Sequence, residues 1–142
     1  MNIVGFNFTK MSIERSKLPT EKVKVNTKMS ISSIESIKSS LLNTGEDLLG
    51  VEFTYSLDYE PEFAKIEFKG NLIISIEPKL AREVLKDWKD KKTSEEFRIP
   101  ILNVILKKAN LKALELEDEL GLPPHLPLPS FKKEEKSEKK EE

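Results

Sequence analysis

The chain has 142 residues, enough for one domain with a modest core. Its 24 Lys and Arg against 25 Asp and Glu leave a net charge of −1, so no long-range field draws in nucleic acid or an anionic membrane. There is no cysteine, so no disulfide argues for secretion; the opening residues "MNIVGFNFTKMSIERS" have no basic region followed by an apolar core, so they are not expected to be a signal peptide, and no apolar run is long enough to span a bilayer. With Lys and Glu abundant, these features lean towards a heat-adapted intracellular protein, expected in the cytoplasm.

The first half reads as strands. Val4, Phe6 and Phe8 share one phase and Met11 and Ile13 the other, so a bulge is expected near Thr9. "RSKLPTEK" (15–22) is a connection whose Pro19 suits a crossover. Val23, Val25, Thr27, Met29 and Ile31 alternate with polar residues as a half-buried strand, which a serine-rich stretch ending in "NTGED" (43–47) is expected to break. Val51, Phe53, Tyr55, Leu57 and Tyr59 alternate next, "YEPEF" (59–63) marks a turn, and Ile66, Phe68, Leu72, Ile74 and Ile76 follow with Gly70 in phase. These four strands at hairpin-like spacing favour an antiparallel sheet with one wet and one oily face.

The second half changes period. Pro78 suits a first helical position, and Leu80, Ala81, Val84, Leu85 and Trp88 form one face of a short helix. In "TSEE" (93–96), Thr93 or Ser94 caps a second helix over about 95–120, with Pro100 near its first turn and Gly121 as its stop. At 1.5 Å per residue that helix is about 39 Å long. Ile101, Leu102, Ile105, Leu106, Ala109, Ala113, Leu116 and Leu120 make one broad stripe, and Val104, Leu111 and Leu114 fall on the other side. Either the helix is buried between sheet and first helix, or those three residues meet a partner subunit.

"LGLPPHLPLPSF" (120–131) is oily yet rich in proline, and "KKEEKSEKKEE" (132–142) has no apolar residue. The expected organisation is one domain over 1–131 and a charged disordered tail over 132–142. The inventory for chemistry is thin. His125 is the single histidine and reads as a surface or capping residue; with no cysteine there is no structural zinc site, and the five glycines form no phosphate loop. No cofactor and no metal are expected, and an enzyme is the weaker reading. A single-stranded nucleic-acid binder would stack bases on Phe53, Tyr55, Tyr59, Phe63 or Phe68. Phe53, Tyr55 and Tyr59, however, share the aliphatic phase of a core, and the opposite face of their strand is acidic or neutral.

With these elements in order, the chain resembles the SecB family of protein-export chaperones. "FRIPILNVIL" (97–106) is similar to the hydrophobic-proline opening of the family's long helix. "LPPHLPLPSF" (122–131) is similar to its C-terminal apolar segment, with spacing shorter by about one residue. The resemblance implies an α+β subunit, a four-stranded antiparallel sheet followed by a short and a long helix, assembling as a homotetramer, a dimer of dimers. It further implies an ATP-independent holdase whose grooves bind unfolded or non-native proteins, with no membrane insertion. Its client groove would involve Val4, Phe6 and Phe8, then Leu18, and then Leu126, Leu128 and Phe131; core burial is the competing reading for each. The mixed face of Glu52, Asp58, Lys65, Glu67 and Lys69 departs from the acidic face that recruits the export motor SecA. A general holdase fits as well, as does a chaperone or adaptor dedicated to one partner such as a toxin–antitoxin pair.

Overall fold

The computed structural model describes residues 1–16, 22–38, 45–131 and 133. Four strands, β1 (Asn2–Arg15), β2 (Lys24–Ile37), β3 (Asp47–Glu60) and β4 (Ala64–Ile76), precede α1 (Pro78–Trp88) and α2 (Glu95–Leu120). The strands form one antiparallel sheet in the order β1-β4-β3-β2. The fold is α+β, as the sequence predicts, with both central strands sharing a hairpin and the two edge strands joined by a crossover.

The central strands explain why their alternation is so regular. Val51, Phe53, Tyr55, Leu57 and Tyr59 of β3 and Ile66, Phe68, Leu72, Ile74 and Ile76 of β4 are all buried on one face, under the helices. Gly70 holds the only inward place on β4 without a side chain. A Cβ there would stand 2.7 Å from Phe53 Cζ and 2.3 Å from the Asn7 carbonyl oxygen, so the Phe53 ring occupies that space instead.

The edge strands are less regular, because bulges reset their phase. The register of β1 shifts between Phe8 and Lys10, at the Thr9 position the sequence predicts. A second shift, between Ile3 and Gly5, is not visible in the alternation. It takes Val4 out of phase with Phe6 and Phe8: Ile3 packs on the core with the two phenylalanines, and Val4 is exposed. In β2 a shift between Ile31 and Ser33 carries the strand on to Ile37 with Ile34 buried, beyond the serines expected to end it. One extra residue reverses which face the following side chains take, so period-2 reading fails past it.

Ser94 caps α2, its side chain accepting from the Phe97 amide at 3.3 Å, and Gly121 ends the helix at φ 67°. Pro100 falls inside the helix, two residues past the first i→i−4 bond from the Arg98 amide to the Ser94 carbonyl, and so leaves the Glu96 carbonyl without its usual helical donor. The buried residues of α2 are Phe97, Ile101, Ile105, Ala109, Ala113 and Glu117. Four residues advance a helix by about 400°, so this row drifts round the axis instead of following one straight stripe. It tracks the twist of the sheet beneath it.

The interior has two parts. An upper core joins Phe97, Ile101 and Ile105 of α2 and Ala81 of α1 to Leu49, Val51, Phe53, Leu72 and Ile74. A lower core joins Ala109, Ala113 and Leu122 to Tyr55, Leu57, Tyr59, Phe63, Ile66 and Phe68. Higher residue numbers of α2 meet higher numbers of β3, so the helix runs along β3 in the same direction.

Candidate functional site

The lower core contains a cluster of buried polar groups. Glu117 continues the every-fourth-residue row of α2 and is 1% exposed. An isolated carboxylate there would be costly, and it is held by several donors. The Tyr59 hydroxyl donates to Oε2 of Glu117, His125 Nδ1 lies 2.9 Å from the same oxygen, and the His125 amide donates to Oε1 at 3.3 Å. Two helical turns away, the Tyr55 hydroxyl donates to Asn110 Oδ1 at 2.7 Å, and His125 Nε2 lies 2.9 Å from that oxygen. His125 bridges the two levels. Four residues of strand cover about 13 Å and seven of helix about 10 Å, so Tyr55 and Tyr59 come opposite Asn110 and Glu117. Burial pushes both phenol pKa values well above their ordinary range, and the negative charge of Glu117 adds to this, together with its hydrogen bond in the case of Tyr59. Both phenols therefore remain protonated donors.

His125 is thus a buried structural residue, its side chain 2% exposed, and not the surface histidine that the sequence suggests. Its polar partners come from β3 and from two turns of α2, which a lone histidine among prolines does not reveal. Glu117 gave one legible signal: it stands at the next step after Ile101, Ile105, Ala109 and Ala113.

The cluster pins the C-terminal segment. Gly121 reverses the chain, the Leu122 amide donates to the Glu117 carbonyl at 2.8 Å, and Leu122 is buried in the lower core. Arg15 of β1 binds the carbonyl oxygens of Leu120 and Gly121 and lies over the Phe63 ring. From Gly121 to His125 the chain doubles back to the level of Asn110. Beyond His125 nothing of this kind covers it among the described residues: Leu126 is 37% exposed, Leu128 55% and Phe131 fully exposed. Pro127 and Pro129 remove amide donors between them, so this apolar row offers little backbone to a neighbouring strand.

The other candidate residues divide. Phe6 and Phe8 are half-buried and join Phe53 and Phe68 in an aromatic cluster with centroids 5.1–6.3 Å apart. Lys108 of α2 stands over the Phe6 ring at 5.6 Å. Leu18 lies outside the described residues, as do the tail residues other than Lys133. Of the three on the far side of α2, Val104 packs against the upper core, Leu114 is half-buried and Leu111 is 62% exposed. The aromatics considered for base stacking, Phe53, Tyr55, Tyr59, Phe63 and Phe68, are all buried, so they form no stacking platform. No cluster of potential metal ligands occurs among the described residues, and no helix among them is long and apolar enough to cross a membrane.

No family model matches the sequence, and no curated protein does so significantly. The fold does have a counterpart among solved structures. It is similar to the SecB-like chaperone Rv1957 of Mycobacterium tuberculosis, solved with a ChAD peptide from the Rv1956 HigA1 antitoxin. The TM-score is 0.59 at 12% identity, over 91% of this chain and 89% of that one. At that identity the likeness is one of fold: the sheet-and-helix architecture described above is that of a SecB-like subunit.

Proposed function

We propose that this protein is an ATP-independent holdase that binds extended, non-native polypeptide. The observation that carries the reading is the exposed row Leu126, Leu128 and Phe131 on a proline-rich segment whose root is locked into the core by His125 and Leu122. A segment that merely closed the core would bury its leucines. This one buries its first leucine and presents the rest. Exposed apolar side chains on a rigid support are what capture of unfolded chains needs, and proline keeps that surface from pairing with other strand edges. The fold it shares with a solved SecB-like chaperone supports the same reading. In this proposal Phe6 and Phe8, half-buried at the β1 edge, extend the apolar surface together with exposed Val4, and Leu18 is included on the sequence alone.

Homo-oligomerisation, as a tetramer built from two dimers, belongs to the same proposal. Leu111 leaves apolar surface on the outer side of α2, three residues from Leu114, and Ile99 is exposed near the start of the helix. A second reading is favoured by one finding, that the Rv1957 structure holds a peptide from an antitoxin: the chain serves one dedicated protein partner in place of many clients.

The test is suppression of aggregation of several unrelated unfolded proteins at near-stoichiometric ratio. The wild-type chain suppresses it without nucleotide, at a solution mass of about four chains by light scattering. The double variant Leu126→Ser/Leu128→Ser keeps its fold, within about 0.5 kcal/mol, and loses most of the activity. Unchanged aggregation of every client removes the general holdase. A partner recovered from the native cell under those conditions selects the dedicated one.

A further inference from the structure

A groove of about 650 Å³ lies between the edge of β2 and the corner where α1 meets α2. Met29 and Ile31 of β2, Leu102 of α2 and Trp88 of α1 give it an apolar floor and wall. Its rim carries Lys91, Lys92 and Arg98, and no carboxylate is among the residues lining it. Lys91 has φ 59° and stands 4.8 Å over the Trp88 ring, so the left-handed turn after α1 folds its ammonium back across the groove. Arg98 is positioned by bonds from Nη1 to the Thr93 carbonyl and hydroxyl, at 2.9 and 3.2 Å, and its second terminal nitrogen reaches Glu95 only at 3.9 Å. The other side of the same corner is opposite in sign. There Leu80, Val84 and Phe97 line a smaller groove of about 220 Å³ with Glu83, Asp87 and Glu96, and no Lys or Arg is among its lining residues. In a chain of net charge −1, this separation gives the β2-side groove a local positive potential.

Leu102, Leu106 and Asn110 lie at successive fourth positions, on one flank of α2. Leu102 lines the groove and Asn110 touches His125, the last pinned residue before the exposed leucines. The two ends are eight helical residues apart, about 12 Å, which an extended chain covers in about four residues. We propose that the groove binds an acidic stretch of extended polypeptide adjoining an apolar one. Glu or Asp side chains meet Lys91, Lys92 and Arg98, an apolar side chain enters beside Trp88, and the apolar stretch continues along α2 towards Leu126 and Leu128. This rests on the reading of the chain as a binder of extended polypeptide and names the class of sequence it selects.

The chain's one tryptophan, Trp88, reports on the groove directly. The probes are two tryptophan-free peptides of about twelve residues with the same leucine-rich half, one bearing glutamates and the other lysines in the remaining half. Titrated into the full chain at low salt, the glutamate peptide shifts Trp88 emission and binds about tenfold more tightly than the lysine peptide, and the difference closes at about 0.5 M salt. Lys91→Glu/Lys92→Glu, two exposed changes, reverses the order. Equal or tighter binding of the lysine peptide, or an order unchanged by the double variant, overturns the proposal. Aggregation measured in parallel separates the two failures. Suppression without charge preference leaves the holdase and removes only the selectivity; no binding and no suppression remove both.

Discussion

The upper and lower halves of the sheet–helix interface use the same geometry with different chemistry. In the upper core, Phe97, Ile101 and Ile105 fill space against Val51, Phe53, Leu72 and Ile74, and no polar side chain is buried among them. In the lower core the helix side chains shrink to Ala109 and Ala113, and the room they leave lets Tyr55 and Tyr59 reach Asn110, Glu117 and His125. Apolar packing is non-directional and tolerates sliding, whereas hydrogen bonds fix a position. Both halves supply apolar cohesion, and the lower half in addition decides where residues 122–131 sit. A binding surface that depends on that segment depends on the lower half.

The comparison is broken most forcefully from the top. Phe53→Ala removes a buried ring that contacts Phe6 and Phe8 and covers Gly70, and should cost about 3–5 kcal/mol. Urea denaturation should show the midpoint of the whole molecule falling. A loss below about 1 kcal/mol would mean that the upper core collapses around the gap, and the division of labour would be wrong.

Glu117→Ala is the corresponding cut in the lower half. It strands the Tyr59 hydroxyl and the Nδ1 and amide of His125, at a cost of about 2–3 kcal/mol. Its signature is local: amide hydrogen exchange should accelerate at Leu122, His125, Leu126 and Leu128 before it does in β3 and β4. Uniform acceleration across the sheet would show instead that the cluster holds the fold and not the segment.

The smallest effect is a pH dependence. Tyr55 and Tyr59 are the chain's two tyrosines, and both ionise at higher pH in the folded chain than in the unfolded one. Above about pH 10 the unfolded chain has shed protons that the folded chain keeps, so stability is full below that pH and declines as pH rises beyond it. Tyr59→Phe should cost about 1 kcal/mol at neutral pH, where Glu117 loses a donor, and should flatten the alkaline decline. Tyrosinate absorbance in the folded protein at pH 10 would show that the phenols are not enclosed.

The legible parts of this protein were those governed by repetition. Alternation along β3 and β4 announces strands buried on one side, since each inward residue there has the same fate and no bulge intervenes. Ser94, Gly121 and the apolar positions of α2 set its limits and most of its inner face. On β1 and β2 single extra residues hid Ile3's inward place, exposed Val4 and concealed six residues of strand, because period-2 reasoning carries no memory across a bulge.

By its own composition and periodicity, then, the chain determined four strands, two helices, their order and the oily, proline-rich segment at its end. The tertiary structure decided what that segment does. His125 reads as polar and Glu117 as one more helix charge until β3 and α2 lie side by side and bring Tyr55, Tyr59 and Asn110 to meet them. A buried polar group is stable only where its partners converge, and such convergence depends on residues up to 70 positions apart, which no local pattern encodes.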